Sequence, residues 1–228
     1  MQSTIANMHY QFIPSKVLNF AGIVRTNTIL QNDIYEKYAA TAEISGELIV
    51  CTDKTKMANR EKKLKRETYA EYMQTIDQRD PAKDVWIYNI LDGVAEQDAI
   101  LHRDEQCIII PTYTWDTVNT DELHVLCLPT NKSLRSIRSL TAEYIPLLDH
   151  MKRETIRVMR DTYHVDEQCL KMFFHYDPST YHLHIHFVNM ANSQARSSVE
   201  YSHELHNVLF NLSICSDYYQ RATLNTRQ

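Results

Sequence analysis

The sequence predicts an α+β fold, in which a small N-terminal unit of strand and helix, residues 1–65, precedes a C-terminal domain, residues 66–228. Two β-prone segments, residues 170–175 and 181–190, are joined by a short polar turn, which is typical of an antiparallel pair. Helical spacing of apolar residues precedes these segments and also follows them. Such a pattern predicts a domain in which helices pack on an antiparallel sheet.

The first elements are predicted from local propensity. Residues 46–51 are β-prone, and residues 57–72 have the composition of a charged helix with only a thin apolar side. Residues 86–91 are again β-prone. Residues 107–110 form a short apolar run before Pro111, as expected of a strand that is buried on both faces.

The later elements alternate between strand and helix. Residues 121–127 extend the sheet, and a turn at 129–131 leads toward a helix at 146–163. Pro146 is tolerable only in the first turn of that helix. A last helix is predicted at 199–212, with its leucines and one valine on a single side.

Composition excludes several classes of function. The formal net charge is −5, which argues against a protein that coats long nucleic acid, because nonspecific phosphate binding needs a basic surface. Only 3 glycines are present, and no phosphate-binding glycine loop is found. No stretch is long and apolar enough for a membrane span, and the 5 cysteines lack any Cys-x-x-Cys pair, so a reducing compartment and no membrane association are expected.

The most informative stretch alternates histidines with apolar residues, in the order His182, Leu183, His184, Ile185, His186, Phe187. A strand's period of two predicts that the three imidazoles share one face while the apolar side chains pack on the core. Three interpretations of the face are open: hydrogen-bonded surface histidines, a zinc site, or a nucleophilic imidazole. Three successive residues on one face extend far along a strand for a single tetrahedral ion, which weakens the zinc interpretation.

Phosphoryl or nucleotidyl transfer suits this face because imidazole is largely neutral near pH 7 and is both a good nucleophile and a good leaving group. Ser179 and Thr180, just before the histidines, could donate hydroxyl hydrogen bonds to a phosphate. His175 ends the preceding strand and is predicted to face the same site. All these groups lie within one predicted hairpin.

The stretch from His182 to Val188 resembles the histidine-triad motif. The longer stretch from His175 to Phe187 is similar to that of the scavenger mRNA-decapping enzymes, a family of the histidine-triad superfamily. The similarity continues through segments at 86–92, 110–116, 133–141 and 218–224, and it covers most of the chain.

The resemblance implies a homodimer in which residues 1–65 form a swapped dimerisation domain and residues 66–228 a histidine-triad-like catalytic domain. It implies hydrolysis of the 7-methylguanosine cap, as the cap dinucleotide or on a short capped oligoribonucleotide. The products would be 7-methylguanosine monophosphate and a 5′-diphosphate, formed through a nucleotidyl-histidine intermediate. No cofactor, metal ion, membrane or long nucleic acid is implied, and the cytoplasm, with the nucleus as a second compartment, is the expected location.

The same resemblance implies residue roles. His184 is the nucleophile, with His182 and His186 as its companions. His175 and Ser179 contact the phosphates.

For the base, Trp86 matches the aromatic residue that stacks on the methylated guanine. Glu96 matches the carboxylate that pairs with its Watson-Crick edge. A cationic purine favours both an aromatic face and a carboxylate partner.

Several positions depart from the family pattern. Thr112 and Thr114 replace an acidic and a basic cap contact, so the hydroxyls remain but the charges are lost. Thr180 and His124 replace family tyrosines, and Tyr113 replaces an apolar residue on the other side of the base. Tyr113 and the stacking tryptophan could therefore sandwich the base, at about 1–3 kcal/mol for each stacked partner.

Two other functions stay open from the sequence. A non-catalytic cap-binding or regulatory relative is suggested by the charges lost at Thr112 and Thr114. A general dinucleoside polyphosphate hydrolase is compatible with the same histidine hairpin.

Overall fold

The computed structural model describes residues 23–31, 35–42, 47–53, 64–193, 195 and 199–227. The chain divides into two compact units, Met1–Glu61 and Lys62–Gln228. The assignment of residues 1–65 to a swapped dimerisation domain stays a prediction. In the described ranges, no helix has both the length and the apolar character needed to cross a membrane.

The first unit contains a three-stranded antiparallel sheet in the order β1-β2-β3. Its strands are β1 (Ile23–Gln31), β2 (Tyr35–Ala42) and β3 (Glu47–Asp53). The strand predicted at 46–51 is confirmed, since β3 covers residues 47–53. The family resemblance also implies that a lysine of the N-terminal domain reaches the phosphates. The candidates for it, Lys54 and Lys56 with Arg60, lie outside the described residues.

The first described element of the second unit is a strand rather than a helix. Strand β4 (Leu64–Glu67) pairs antiparallel with the last strand, and α1 (Tyr69–Asp77) begins only after Thr68. Thr68 and Glu71 form a capping box, which stabilises a helix start at this point. The predicted helix at 57–72 is therefore wrong for residues 64–68, and residues 57–63 lie outside the described ranges.

The segment predicted as β-prone at 86–91 is a helix, α2 (Val85–Leu91), so that prediction was wrong. Asp80 and Pro81 begin a short 3₁₀ turn that leads directly into it. Ile87 and Ile90, three residues apart, are both buried on the sheet. Packing of this apolar side has overridden the β propensity of the segment.

A six-stranded antiparallel sheet in the order β10-β8-β9-β7-β6-β5 organises the second unit. Its strands are β5 (His102–Arg103), β6 (Cys107–Pro111), β7 (His124–Pro129), β8 (Leu170–His175), β9 (Ile185–Asn189) and β10 (Ser202–Glu204). The strands predicted at 107–110 and 170–175 are confirmed, and the α+β class is observed.

The strand predicted at 181–190 is shorter, because only residues 185–189 are paired in β9. The backbone N–H of Tyr181 donates to Asp84 at 3.0 Å, and that of Leu183 donates to the carbonyl of Leu134 at 2.8 Å. Residues 181–184 are therefore fixed by contacts outside the β8–β9 ladder.

Two helices, α3 (Ile145–Tyr163) and α4 (Leu205–Ile214), cover one face of the sheet. The short α5 (Tyr218–Arg221) and β11 (Leu224–Arg227) follow α4 in the chain. Pro146 lies in the first turn of α3, as predicted. The last predicted helix began too early, because residues 202–204 pair with β8 as β10.

The main core lies between this face of the sheet and the helices, and it includes the apolar residues that alternate with the histidines. Leu183, Ile185 and Phe187 are all buried there, as the period-two pattern predicted. A smaller cluster on the opposite face joins Ile87 and Ile90 of α2 to β6 and β7. The second face is therefore covered by α2 at the β6 side.

Candidate active site

A histidine face forms on the side of the sheet opposite α3 and α4. His186 lies directly opposite Leu126 of β7 and Phe173 of β8, and residues opposite one another in an antiparallel ladder share a face. The period of two then adds His124 to this face from β7 and His175 from β8. Three neighbouring strands therefore supply the site.

The imidazole of His186 lies at the centre of the cluster. Its ring centroid is 4.2 Å from that of His175, 5.0 Å from that of His184 and 5.2 Å from that of His124. The ring of Phe173 stacks on it at 5.1 Å with an interplanar angle of 8°. The structure thus brings together four of the histidines predicted for the site.

His184 is held in one tautomer by its own backbone neighbour. Its Nδ1 lies 2.8 Å from the carbonyl oxygen of His182. Because a carbonyl can only accept, Nδ1 carries the hydrogen and the neutral ring leaves a lone pair on Nε2. Burial lowers the pKa of His184, although the hydrogen bond to His182 and the charge of Asp84 oppose this effect.

His182 is oriented in the opposite sense. Its Nε2 donates to the carbonyl of Pro129 at 2.8 Å. Its Nδ1 is left as a buried acceptor that has no hydrogen-bond partner among the described residues. Burial lowers the pKa of His182 to about 4. The ring also contacts Tyr88 of α2 edge-on, at 5.8 Å between ring centroids. His182 therefore connects the histidine segment to α2.

His186 has one satisfied and one unsatisfied nitrogen. Its Nδ1 lies 2.9 Å from Nε2 of His124, while its own Nε2 is buried and finds no hydrogen-bond partner in the part of the chain that the structure describes. Burial lowers the pKa of His186 well below the usual range, and the neighbouring histidines add to this effect. Burial likewise lowers the pKa of His124 to about 4. Both rings are therefore neutral near pH 7, and a buried donor or acceptor is left available for a ligand.

A buried carboxylate anchors the segment that precedes the histidines. Asp84, fully buried, accepts two hydrogen bonds from Arg79, at 3.2 and 3.0 Å, and one from the backbone N–H of Tyr181. Arg135 lies 3.5 Å from the same carboxylate, and its Nε donates to the carbonyl of Tyr181. Arg79 also donates to the carbonyl of Ser179 at 3.0 Å. Nothing in the sequence pattern marked Asp84 as important.

The two threonines that are predicted to replace charged cap contacts lie close together. The hydroxyl oxygens of Thr112 and Thr114 are 2.9 Å apart, and the hydroxyl of Thr112 also donates to the carbonyl of His124 at 3.2 Å. Tyr113 between them is half-buried. Thr112 therefore adjoins the histidine cluster through the β7 backbone.

The remaining predicted residues lie around this cluster. Trp86 is half-buried on α2 and packs against the small cluster on the histidine face. Glu96 is exposed, in a left-handed backbone conformation with φ 55° just before a 3₁₀ turn. Ser179 is exposed, whereas Thr180 is buried. The roles predicted for these side chains stay predictions.

The zinc interpretation of the triad finds no geometric support. Within the described part of the chain, the group of metal-ligating atoms that converges comprises His102, Asp104 and Cys107 and includes none of the triad histidines. The nitrogens of the triad are instead oriented by backbone carbonyls and by a neighbouring imidazole.

The fold and this cluster define an α+β protein whose site is lined by neutral imidazoles. Comparisons with known proteins identify its family. Residues 85–201 match the family described as "Scavenger mRNA decapping enzyme C-term binding". The "m7GpppX diphosphatase" of Ascaris suum is 32% identical over 212 residues, which cover 86% of this chain and 70% of that protein. The chain belongs to the scavenger mRNA decapping enzyme family, a family of hydrolases.

Mammalian relatives match over a shorter region. The proteins named "m7GpppX diphosphatase" from Rattus norvegicus and Homo sapiens are 36% and 34% identical over 143 residues. These residues cover 61% of this chain and 43% and 42% of the two relatives. The matched region thus spans less than half the length of either mammalian protein.

Proposed function

We propose that this chain hydrolyses the triphosphate bridge of a 7-methylguanosine cap, with His184 as the nucleophile. The observation that carries the proposal is the hydrogen bond from His184 Nδ1 to the carbonyl of His182. This bond leaves the lone pair of the neutral ring on Nε2, and it fixes the orientation of the ring relative to the backbone. The names of the relatives support the substrate class.

The proposed reaction has two steps, attack by the imidazole and hydrolysis of the intermediate. Nε2 of His184 attacks the phosphorus next to 7-methylguanosine, a nitrogen–phosphorus bond forms, and the anhydride oxygen leaves with a 5′-diphosphate product. Water then attacks the same phosphorus and breaks the nitrogen–phosphorus bond. This step releases 7-methylguanosine monophosphate and a proton to solvent, and it restores the imidazole.

His186 supports this chemistry by binding phosphate oxygen. When His124 Nε2–H donates to His186 Nδ1, the hydrogen of His186 lies on Nε2, the buried atom for which the described residues provide no partner. That N–H can then donate to an oxygen of the attacked phosphate, where negative charge accumulates. His124, which stands where the family has a tyrosine, thus acts as a positioning residue.

His175 and Ser179 are the further phosphate contacts of the proposal. His175 is in ring contact with His186, and the carbonyl of Ser179 is fixed by Arg79. Fixing this backbone before substrate binds reduces the entropy lost in the reaction.

Base recognition is assigned to Trp86 and Glu96, with Tyr113 on the second side of the base. The exposure of Glu96 and the partial burial of Trp86 leave both groups able to meet a ligand at the end of α2. With the charges replaced at Thr112 and Thr114, stacking contributes a larger share of cap affinity than charge does.

The test is to incubate the full chain with 7-methylguanosine cap dinucleotide in chelator and to measure 7-methylguanosine monophosphate by chromatography. Turnover is expected for the wild type and for the control His206→Asn, since His206 is exposed on α4. Absence of the product with correctly folded protein would refute the proposal. Cap binding without turnover would instead support a non-catalytic relative.

Turnover of the unmethylated dinucleotide distinguishes a cap enzyme from the remaining alternative, a general dinucleoside polyphosphate hydrolase. A cap enzyme is expected to prefer the methylated substrate, because a cationic base gains from the aromatic face and the carboxylate. Equal turnover of both substrates would indicate a general dinucleoside polyphosphate hydrolase.

A further inference from the structure

A second group of ligating side chains lies across the sheet from the histidine face. His102 of β5 is opposite Ile109 of β6, which belongs to the main core on the α3 side. Asp104 and Cys107 follow along the β5–β6 hairpin, and His150 of α3 contacts Asp104. The side-chain ligand atoms of His102, Asp104 and Cys107 all lie within 4.8 Å of one another.

The carboxylate of Asp104 is the centre of the group. Its Oδ1 accepts the backbone N–H of Gln106 at 2.7 Å and that of Cys107 at 2.8 Å. Its Oδ2 lies 3.0 Å from Nε2 of His102 and 2.8 Å from Nε2 of His150. The backbone therefore orients the carboxylate so that Oδ2 meets the two imidazoles, as hydrogen bonds orient ligands in metal sites.

The spacing of these atoms fits a tetrahedral ion. Zinc bonds of about 2.0–2.3 Å place ligand atoms roughly 3.3–3.7 Å apart. Asp104 Oδ2 is 3.0 Å from Nε2 of His102, slightly less than this spacing, and 3.9 Å from Sγ of Cys107, slightly more. The ligand atoms of His102, Asp104 and Cys107 therefore lie close to three corners of a tetrahedron, whereas His150 lies outside this group and contacts Asp104.

Glu154 adds a second carboxylate beside the group. It lies on α3 one turn after His150, and its Oε2 is 3.9 Å from Nε2 of His102. The same oxygen accepts from Arg157 at 2.8 Å, which fixes its position. Glu154 therefore adds negative charge beside the coordinating nitrogen of His102, and this charge favours a bound cation.

We propose that His102, Asp104 and Cys107 form a zinc site in the β5–β6 hairpin, with a water molecule as the fourth ligand. His150 of α3 donates to the coordinating carboxylate and so orients it. A donor set of one imidazole, one carboxylate and one thiolate suits zinc. Binding moves the hydrogen of His102 from Nε2 to Nδ1 or to solvent, and the thiol proton is lost to solvent. The ion is structural, because it lies on the opposite face of the sheet from the proposed nucleophile.

These residues are spread over three elements, so the sequence carries no motif for the site. The alternative is a network of hydrogen bonds alone, in which both imidazoles donate to Asp104. The two accounts differ in their response to added metal, because a hydrogen-bonded network gains nothing from zinc.

The experiment is a titration of the chelator-treated full chain with Zn²⁺, followed by calorimetry and by the thermal unfolding midpoint. The wild type is expected to bind one zinc per chain and to unfold at a higher temperature with zinc. Asp104→Asn and His150→Gln should each weaken binding at least tenfold and remove the thermal shift. The matched control His206→Gln should leave both unchanged.

Two further measurements locate the ion. Cobalt(II) in place of zinc should give a thiolate charge-transfer band that Cys107→Ser removes. His184→Asn should not alter zinc affinity, since the triad is on the other face. Loss of zinc binding in His184→Asn, or its full retention in His150→Gln, would overturn the proposal, as would no binding by the wild type. Cap hydrolysis by zinc-free protein tests the proposed function alone. Its presence or absence neither supports nor contradicts the zinc site.

Discussion

Asp84 offers the most direct test of how the histidine segment is held. Its carboxylate is fully buried and faces two guanidinium groups, those of Arg79 and Arg135, as well as the backbone N–H of Tyr181. Asp84→Asn preserves the size of the side chain but removes the negative charge, and its amide hydrogens face positively charged donors. Removing one partner of a buried ion pair costs roughly 3–5 kcal/mol.

Partial exposure of Arg135 reduces this cost, because solvent screens its charge when the partner is removed. The expected loss is therefore about 3 kcal/mol of unfolding free energy, at the lower end of that range. Urea denaturation followed by circular dichroism measures it. Turnover should fall as well, because the backbone before His182 loses its anchor.

The chain offers a matched control in Asp92→Asn. Asp92 pairs with Lys132, and about half of each side chain is exposed, so this loss should cost less than about 1 kcal/mol. If the two substitutions cost the same, within error, the buried anchor has no special role and the reasoning is refuted.

Three further predictions concern the site and its pH response. Replacing His124 with phenylalanine removes the donor to His186, and kcat should fall roughly tenfold to hundredfold, matching the 1–3 kcal/mol of a lost buried hydrogen bond; unchanged kcat would exclude the positioning role. Burial lowers the pKa of His124, His182 and His203 to about 4, so each binds a proton in the unfolded chain but not in the folded one between about pH 6.5 and 4. Unfolding free energy from urea titrations should therefore decrease as the pH falls through this window, and a flat profile from pH 7 to 4.5 would contradict the burial of neutral imidazoles. Trp86→Ala should raise KM for the cap by more than it lowers kcat, by the equivalent of about 1–3 kcal/mol, and an unchanged KM would remove this residue from base recognition.

Strong local patterns in the sequence predicted the sheet core well. The strand at 107–110 was predicted from a continuous apolar run and the face at 182–187 from alternation, and both are local properties. Burial of Leu183, Ile185 and Phe187 followed as expected. The convergence of His175 with His186 also followed, because a short turn between antiparallel segments brings their ends together.

The errors arose where distant contacts decide the outcome. Residues 86–91 are β-prone but form a helix, because Ile87 and Ile90 pack on a sheet formed by residues that come later in the chain. Residues 181–184 lie outside the strand because their backbone donates elsewhere. The N–H of Tyr181 donates to the carboxylate of Asp84, and that of Leu183 donates to the carbonyl of Leu134. No local pattern encodes such partners.

The same limit applies to the site. The histidines of the triad were visible in the sequence, but the Asp84 anchor joins three segments that are far apart in the chain. The pair formed by His124 and His186 spans two strands and depends on the β7–β9 register. Alternation therefore predicted which residues face the site, and the fold determines which atoms remain available for chemistry.

The central claim is that Nε2 of His184 attacks phosphorus, and one measurement tests it most directly. Turnover of cap dinucleotide is compared for wild type, His184→Asn and His182→Asn at equal folded concentration. Loss of at least three orders of magnitude is expected for His184→Asn, roughly 4 kcal/mol of barrier, with cap binding retained. His182→Asn should keep measurable activity, because it removes orientation and not the nucleophile. If His184→Asn kept more than about a tenth of wild-type turnover, a loss below ~1.4 kcal/mol, the covalent mechanism would be contradicted.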